Sequence, residues 1–240
     1  MLASLVRADR CCRVWRMLSE RCPTKGKIPG VRSPILKDFP DAFETERLRI
    51  RSPLPGDGVE VYAAVAESLE ELKPWMPWAR RELTVEVEEE NMRRARAAFL
   101  ERSDLMLLLF LKGTGTLVGG SGLHRIDWEV PKFEIGYWVR TRFAGQGYIT
   151  EAVGGITAFA FDRLGARRVE IRCDSLNRRS ARVAERAGFC LEGELRNAEV
   201  GPGGEPRDTL VYSMIPEEYQ ASRPQTNQRN AREGLRPSEE

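Results

Sequence analysis

A change of period around one glycine pair constrains this chain more than any other feature. Phe133 to Val139 is a short apolar run, Arg142-Phe143-Ala144-Gly145-Gln146-Gly147 follows, and Tyr148 to Leu164 then places Ile149, Ala152, Val153, Ile156, Phe159 and Ala160 at helical spacing. A strand must hand over to a helix within a few residues. Gly145 and Gly147 lack a Cβ, so the backbone can turn sharply and approach a ligand closely. The helix aims its free N–H groups and positive dipole end back at the turn, and Arg142 adds a guanidinium fork that suits a phosphate. The junction reads as a diphosphate cradle, or as a tight turn only. Two other phosphate loops are excluded. A Walker loop needs Lys-Ser or Lys-Thr where Tyr148-Ile149 stands, and a dinucleotide fingerprint needs a third glycine where Thr150 stands.

The rest of the chain alternates between the two periods. Glu44 to Ser52 reads as a half-buried strand, and Asp57 as the N-cap of a helix over Val59–Ser68, with a second short helix at Leu69–Leu72. Lys73-Pro74-Trp75-Met76-Pro77-Trp78 is a stiff apolar loop, either a core cap or one wall of an acceptor pocket. Thr84 to Arg102 is a helix whose Glu88–Glu90 and Arg93–Arg96 run reads as a solvated face. Leu105 to Leu111, apolar throughout, is a central strand. Thr116 to Ile126 returns from a hairpin turn at Lys112–Gly115, and its Gly119, Gly120 and Gly122 suggest a bulge or a close approach by another group. His124 near its end is structural, or a proton carrier. Lys132–Arg140 and Arg168–Cys173 are strands, and Asn177–Ala187 is a helix stopped by Gly188. Phe189–Val200 and Thr209–Met214 pair through a turn at Gly201–Gly204. The fold class is α+β with helices on both faces of the sheet.

Composition narrows the function classes. A net charge of +2 over 240 residues gives no bulk attraction for nucleic acid or a membrane surface. Five cysteines, at Cys11, Cys12, Cys22, Cys173 and Cys190, are odd in number and lack zinc spacing, and His124 is the one histidine. No metal is therefore expected, and the thiols suit a reducing cytoplasmic setting. The apolar runs fall short of the ~18 residues a membrane helix needs. Residues 1–42, rich in arginine, read as a poorly ordered extension, with a targeting segment or an early start before Met17 as alternatives. Residues 43–219 read as one domain, and 220–240 as a polar disordered tail.

Arg142-x-x-Gly145-x-Gly147 resembles the coenzyme A pyrophosphate loop of the GNAT acetyltransferases. The strand Phe133–Val139, the segment DSLNRRSARVAERAGF and the closing hairpin match that family in the right order. Within it, ETERLRIR, WMPW, EIGYWV with AGQGYITEA, and N-x-x-S followed by RAGF-x-x-EG are similar to the RimJ/RimL branch, which acetylates N-terminal amines of ribosomal proteins. The resemblance implies a mixed, mostly antiparallel sheet of about seven strands, with acetyl-CoA as cosubstrate and direct attack by an amine. It places coenzyme contacts at Tyr137, Trp138 and Val139, whose strand would also serve the oxyanion, and at Arg142, Gly145, Gln146, Gly147 and Asn177. Glu199, nineteen residues after Ser180, falls where that branch carries a proposed basic glutamate, and Ser180 where it carries a serine for the leaving thiolate. Glu134 is a second candidate base. Trp75, Trp78 and Glu134 would line the acceptor site. The acceptor is a protein N-terminus or a small amine such as an aminoglycoside or polyamine; a non-catalytic coenzyme-binding module and a homodimer stay open. Glu151 reads as structural and Cys173 as an inert buried thiol.

Overall fold

The computed structural model describes residues 33–223. The expected extension and tail lie largely outside them, as do Cys11, Cys12 and Cys22. Eight strands form one sheet in the order β1-β2-β3-β4-β5-β6-β8-β7. They are β1 (Ala42–Glu44), β2 (Leu48–Arg51), β3 (Leu105–Leu111), β4 (Leu117–Asp127), β5 (Lys132–Val139), β6 (Arg168–Asp174), β7 (Cys190–Val200) and β8 (Pro206–Met214). Every neighbouring pair is antiparallel except β5 with β6. That parallel pair is joined by the helix α3 (Tyr148–Leu164), since parallel neighbours need a crossover.

β3 is apolar on both sides because both faces of the sheet are covered. Leu105, Leu107 and Leu109 pack with Ile149, Val153, Ile156 and Phe159 of α3 and with Ala181 and Ala184 of α4 (Arg178–Arg186). Leu108 and Phe110 pack on the opposite face with Val61, Val65 and Leu72 of α1 (Gly58–Leu72) and Met92 of α2 (Val85–Glu101). Apart from the two alanines, each of these side chains contributes roughly 1.5–3 kcal/mol when fully buried. The last helix among the described residues, α5 (Pro216–Ser222), stacks Tyr219 on Phe161 of α3 at 4.7 Å between centroids.

Several expectations change. The strand expected over Glu44–Ser52 is two strands, so the sheet has eight rather than about seven. Glu151 of α3 takes the Thr45 hydroxyl at 2.6 Å and the Arg47 N–H at 2.7 Å, which pulls the chain into a turn between β1 and β2. Leu69–Leu72 continues α1 rather than starting another helix. Asp57 precedes α1, but its carboxylate holds Arg51 and the Leu54 N–H instead of a helix N–H. The Trp75–Trp78 loop includes a short 3-10 turn over Pro77–Arg80. The charged run on α2 is not wholly solvated: Glu88 is buried.

The glycines of β4 also find their reason. Gly120 lies beneath the indole of Trp138, and Gly119 lies against the Trp138 carbonyl. Gly122 pairs with Gly136 across the strands, and the His124 ring lies over both. A Cβ on Gly122 would stand 2.7 Å from the His124 Cε1, so neither the tryptophan nor the imidazole could lie flat on a substituted strand. The one irregularity between β3 and β4 lies at Leu109/Phe110.

Candidate active site

Two structures meet along β5. One is the glycine cradle at its far end, and the other is a cavity on its α1/α2 face.

In the cradle, Gly145 (φ 78°) and Gly147 (φ 82°) adopt the left-handed conformation that side chains resist. Gly147 caps α3, and its carbonyl accepts the Glu151 N–H at 3.0 Å. Among the described residues, no carbonyl or side chain accepts from the N–H groups of Gly145, Gln146, Gly147, Tyr148, Ile149 or Thr150. This is a concave row of donors at a positive dipole end. Two guanidinium groups flank it. Arg142 is half exposed and 3.8 Å from Glu67. Arg47 reaches over from the β1–β2 turn, stacks on Tyr148 at 4.3 Å and donates to the Gln146 carbonyl at 3.1 Å. Gln146 closes the loop by donating to the Arg142 carbonyl at 2.9 Å.

The supports of this loop come from distant segments. Arg140 is buried and paired with Glu67 of α1 at 2.7 Å, and the Thr141 N–H donates to Ser68 at 2.9 Å. Burial alone would raise the Glu67 carboxyl, but bonds and charge from Arg140 and Arg142 hold it below its ordinary range. Glu151 behaves alike, with Thr45 and Arg47 outweighing burial. Sequence reasoning missed Arg47, Glu67 and Ser68, which lie 73 to 104 residues from their partners.

β5 and β6 pair only at Lys132–Glu134 with Arg168–Glu170. Beyond that the two strands diverge, β5 running on to Val139 and β6 to Asp174. The opening exposes the β6-side edge of β5 around Tyr137, an edge on which an extended ligand arm can lie like an added strand.

Beside the opening lies a cavity of about 770 Å³, within the size range of ligand sites. It brings together Trp75, Trp78, Glu134, Tyr137, Trp138, Asn177, Ser180 and Glu199 from four separate stretches of chain. Val139, Arg142, Gly145, Gln146 and Gly147 are not among its walls; they belong to the cradle end. Trp78 meets Trp138 edge-on at 6.0 Å. Asn177 is the N-cap of α4, its side chain accepting from the Ser180 N–H at 3.1 Å. The Tyr137 hydroxyl lies 3.0 Å from both the Ser180 carbonyl and the Ser180 hydroxyl. Burial pushes Tyr137 well above the ordinary phenol range, so it stays a donor. Burial likewise pushes the Cys173 thiol up. Glu134 stands between Arg125 at 3.3 Å and Arg172 at 3.5 Å, and burial raises it against their pull. Glu199 is exposed on β7, just after a bulge at Asn197 (φ 52°). His124 faces the same cavity, with its Nδ1 2.7 Å from Asp104. Among the described residues no cluster of His, Cys, Asp or Glu could hold a metal, and no helix is long and apolar enough to cross a membrane.

A sheet opened between two parallel strands beside a glycine-capped helix defines an acyl-coenzyme A transferase architecture. Residues 47–190 match the acetyltransferase (GNAT) domain family, and the chain belongs to that family of acetyl-CoA-dependent N-acetyltransferases. A Bacillus subtilis (strain 168) protein provisionally named ribosomal N-acetyltransferase YdaF is 29% identical over 181 residues, 74% of this chain and 96% of its own. Among solved structures, the microcin C7 self-immunity acetyltransferase MccE, in complex with acetyl-CoA and AMP, superposes with a TM-score of 0.69 at 23% identity, covering 74% of this chain and 97% of that one. RimL, the ribosomal L7/L12 α-N-protein acetyltransferase in complex with coenzyme A, gives 0.67 at 23% identity, covering 71% and 95%. The cradle fits a coenzyme A diphosphate on its own evidence, through unpartnered N–H groups, left-handed glycines and two guanidinium groups.

Proposed function

We propose that this protein acetylates the N-terminal amine of a protein, a ribosomal protein in the first instance, in the cytoplasm. The observation that carries this reading is the open β5/β6 pair, with the coenzyme cradle at one end and a large tryptophan-walled cavity beside it. A cavity of about 770 Å³ is far larger than a single amine needs and admits the first residues of a peptide. The relatives' names support the acceptor class.

The residues present can meet the chemical needs of the reaction. Gly145, Gln146 and Gly147 with Arg142 hold the diphosphate of acetyl-CoA, which supplies an activated acetyl group when bound. The free edge of β5 at Tyr137–Val139 orients the pantetheine arm and offers N–H groups to the acetyl oxygen. The acceptor amine must shed a proton. An α-amine titrates near ~7.7–8.0 and a lysine near ~10.4, so deprotonation is easier by roughly 3.3–3.7 kcal/mol for an N-terminus. Glu199, exposed at the cavity wall and able to work through water, takes that proton. A second group is favoured by a specific observation: Asp104 holds the His124 ring over Gly122 and Gly136, next to Tyr137, in the arrangement of an oriented imidazole base. Ser180, hydrogen-bonded to the Tyr137 hydroxyl, hands a proton to the leaving thiolate while Tyr137 keeps the serine in place. Trp75 and Trp78 bracket the acceptor.

Intact-mass spectrometry of a peptide library incubated with acetyl-CoA tests the acceptor class. Free N-termini should gain one acetyl group and blocked N-termini none; acetylation of aminoglycosides or polyamines alone would overturn the peptide reading. Glu199→Gln should abolish most turnover while coenzyme affinity holds. If it does not and His124→Asn does, the imidazole is the base.

A further inference from the structure

α2 carries four glutamates in its first two turns, Glu86, Glu88, Glu89 and Glu90. Glu89 accepts from Gly56, Gly58 and Arg93, and Glu90 from Arg94. Glu88 alone turns inward. It is 8% exposed and lines the acceptor cavity with Trp75, Trp78, Asn91, Met92 and Met106. The one hydrogen bond to its carboxylate among the described residues comes from the Asn91 amide, at the long distance of 3.5 Å, and no arginine, lysine or histidine there pairs with it. The other sheltered carboxylates of the cavity are answered: Glu134 by Arg125 and Arg172, and Asp174 by Arg207 at 2.8 Å. Arg80, on the same wall, is turned to the Lys73 carbonyl.

An unpaired buried carboxylate is costly, and proteins rarely keep one that nothing meets. Burial among apolar walls raises the Glu88 carboxyl above its ordinary range. A ligand cation would reverse that balance. The amine that attacks must be uncharged, and a standing ion pair with a carboxylate would hold it protonated. A second cation a few residues along the acceptor has no such constraint. Trp78 and Met92 suit the methylene stem of such a side chain, and indole faces attract its charged head.

We propose that Glu88 forms a subsite for a cationic side chain of the acceptor, a lysine or arginine within the first few residues after the acetylated N-terminus. This rests on the acetyltransferase reading above. The test uses the full chain and peptides with a free N-terminus that carry either lysine or its neutral isostere norleucine at one of the second to fourth positions. At one of these positions kcat/KM should favour lysine by about tenfold or more, as charge-assisted pairing in a sheltered site does. In Glu88→Gln the lysine-to-norleucine ratio should fall to about one. No preference at any position, or a preference that survives Glu88→Gln, overturns the proposal.

A second measurement needs no turnover. Blocked lysine amide should raise the thermal midpoint of the wild type more than blocked norleucine amide does, and the difference should vanish in Glu88→Gln. Equal effects of the two amides on the wild type count against the subsite. Turnover without a lysine preference sinks the subsite and leaves the acetyltransferase intact. A lysine-specific midpoint shift without any turnover does the reverse.

Discussion

Glu151→Gln should cut the tie between the β1–β2 turn and the cradle. The carboxylate accepts from the Thr45 hydroxyl at 2.6 Å, the Arg47 N–H at 2.7 Å and the Arg47 Nε at 2.6 Å. Its side chain is 17% exposed and that of Arg47 is 42% exposed. Glutamine can keep the two bonds to one oxygen, but as neutral contacts, and it presents an amide donor to the guanidinium donor. A charge-assisted bond nets about 1.5–3 kcal/mol and a neutral one about 1. Screening at the exposed arginine trims the ionic part. The loss comes to about 2 kcal/mol, or a fall of about 4–8 °C in Tm for a domain of this size. The pH dependence supplies a sharper check. Burial would raise the Glu151 carboxyl, but Thr45 and Arg47 outweigh it and hold the folded value below the unfolded one. The stability it contributes is therefore present above the unfolded pKa and is lost as pH falls through the folded value. Urea unfolding of both proteins should show the full gap at neutral pH and a closing gap in acid. Arg47 would also lose its hold beside Gln146, so coenzyme affinity should fall several-fold in calorimetry. A gap that stays constant into acid, or one under about 0.5 kcal/mol at pH 7, would refute this account of the hub.

Gly119→Ala drives a Cβ against the Trp138 carbonyl and to 3.0 Å from the Val139 Cα, so it should destabilise by about 1–3 kcal/mol. Gly154→Ala in α3 meets nothing within 4 Å and should stabilise by about 0.5–1 kcal/mol; paired thermal melts compare them. Tyr137→Phe strips both bonds to Ser180 and should cost about 1–2 kcal/mol, whereas Ser180→Ala leaves the tyrosine its carbonyl partner and should cost less than 1. Stopped assays should then show Ser180→Ala losing turnover by about tenfold or more with coenzyme affinity unchanged. Burial holds Glu88 above its unfolded pKa, so its ionisation lowers stability as pH rises from the unfolded value through the folded one. Denaturant melts from acid to neutral pH should show Glu88→Gln gaining on the wild type across that window.

Where the determinants are local, they were legible in the residues. α3 begins at Tyr148 and ends at Leu164 as its periodicity and flanking glycines dictate, and Asn177 and Gly188 bracket α4 in the same way. The Gly145–Gly147 turn, the apolar β3 and the closing hairpin follow from conformational freedom and alternation within a few residues. Even Glu88 left a trace: it falls four residues before Met92 and three after Val85, on the apolar stripe of α2. Other features depend on which segments meet. Glu151 breaks the first strand in two, Glu67 fixes Arg140 from 73 residues away, and Trp138 and His124 occupy the space that the β4 glycines leave. The placing of β8 between β6 and β7, and the parting of β5 from β6, are likewise settled by packing. Short-range propensity acts through neighbours along the chain, whereas the pairing of charges and the filling of space act through neighbours in three dimensions, and one linear pattern is compatible with many such meetings.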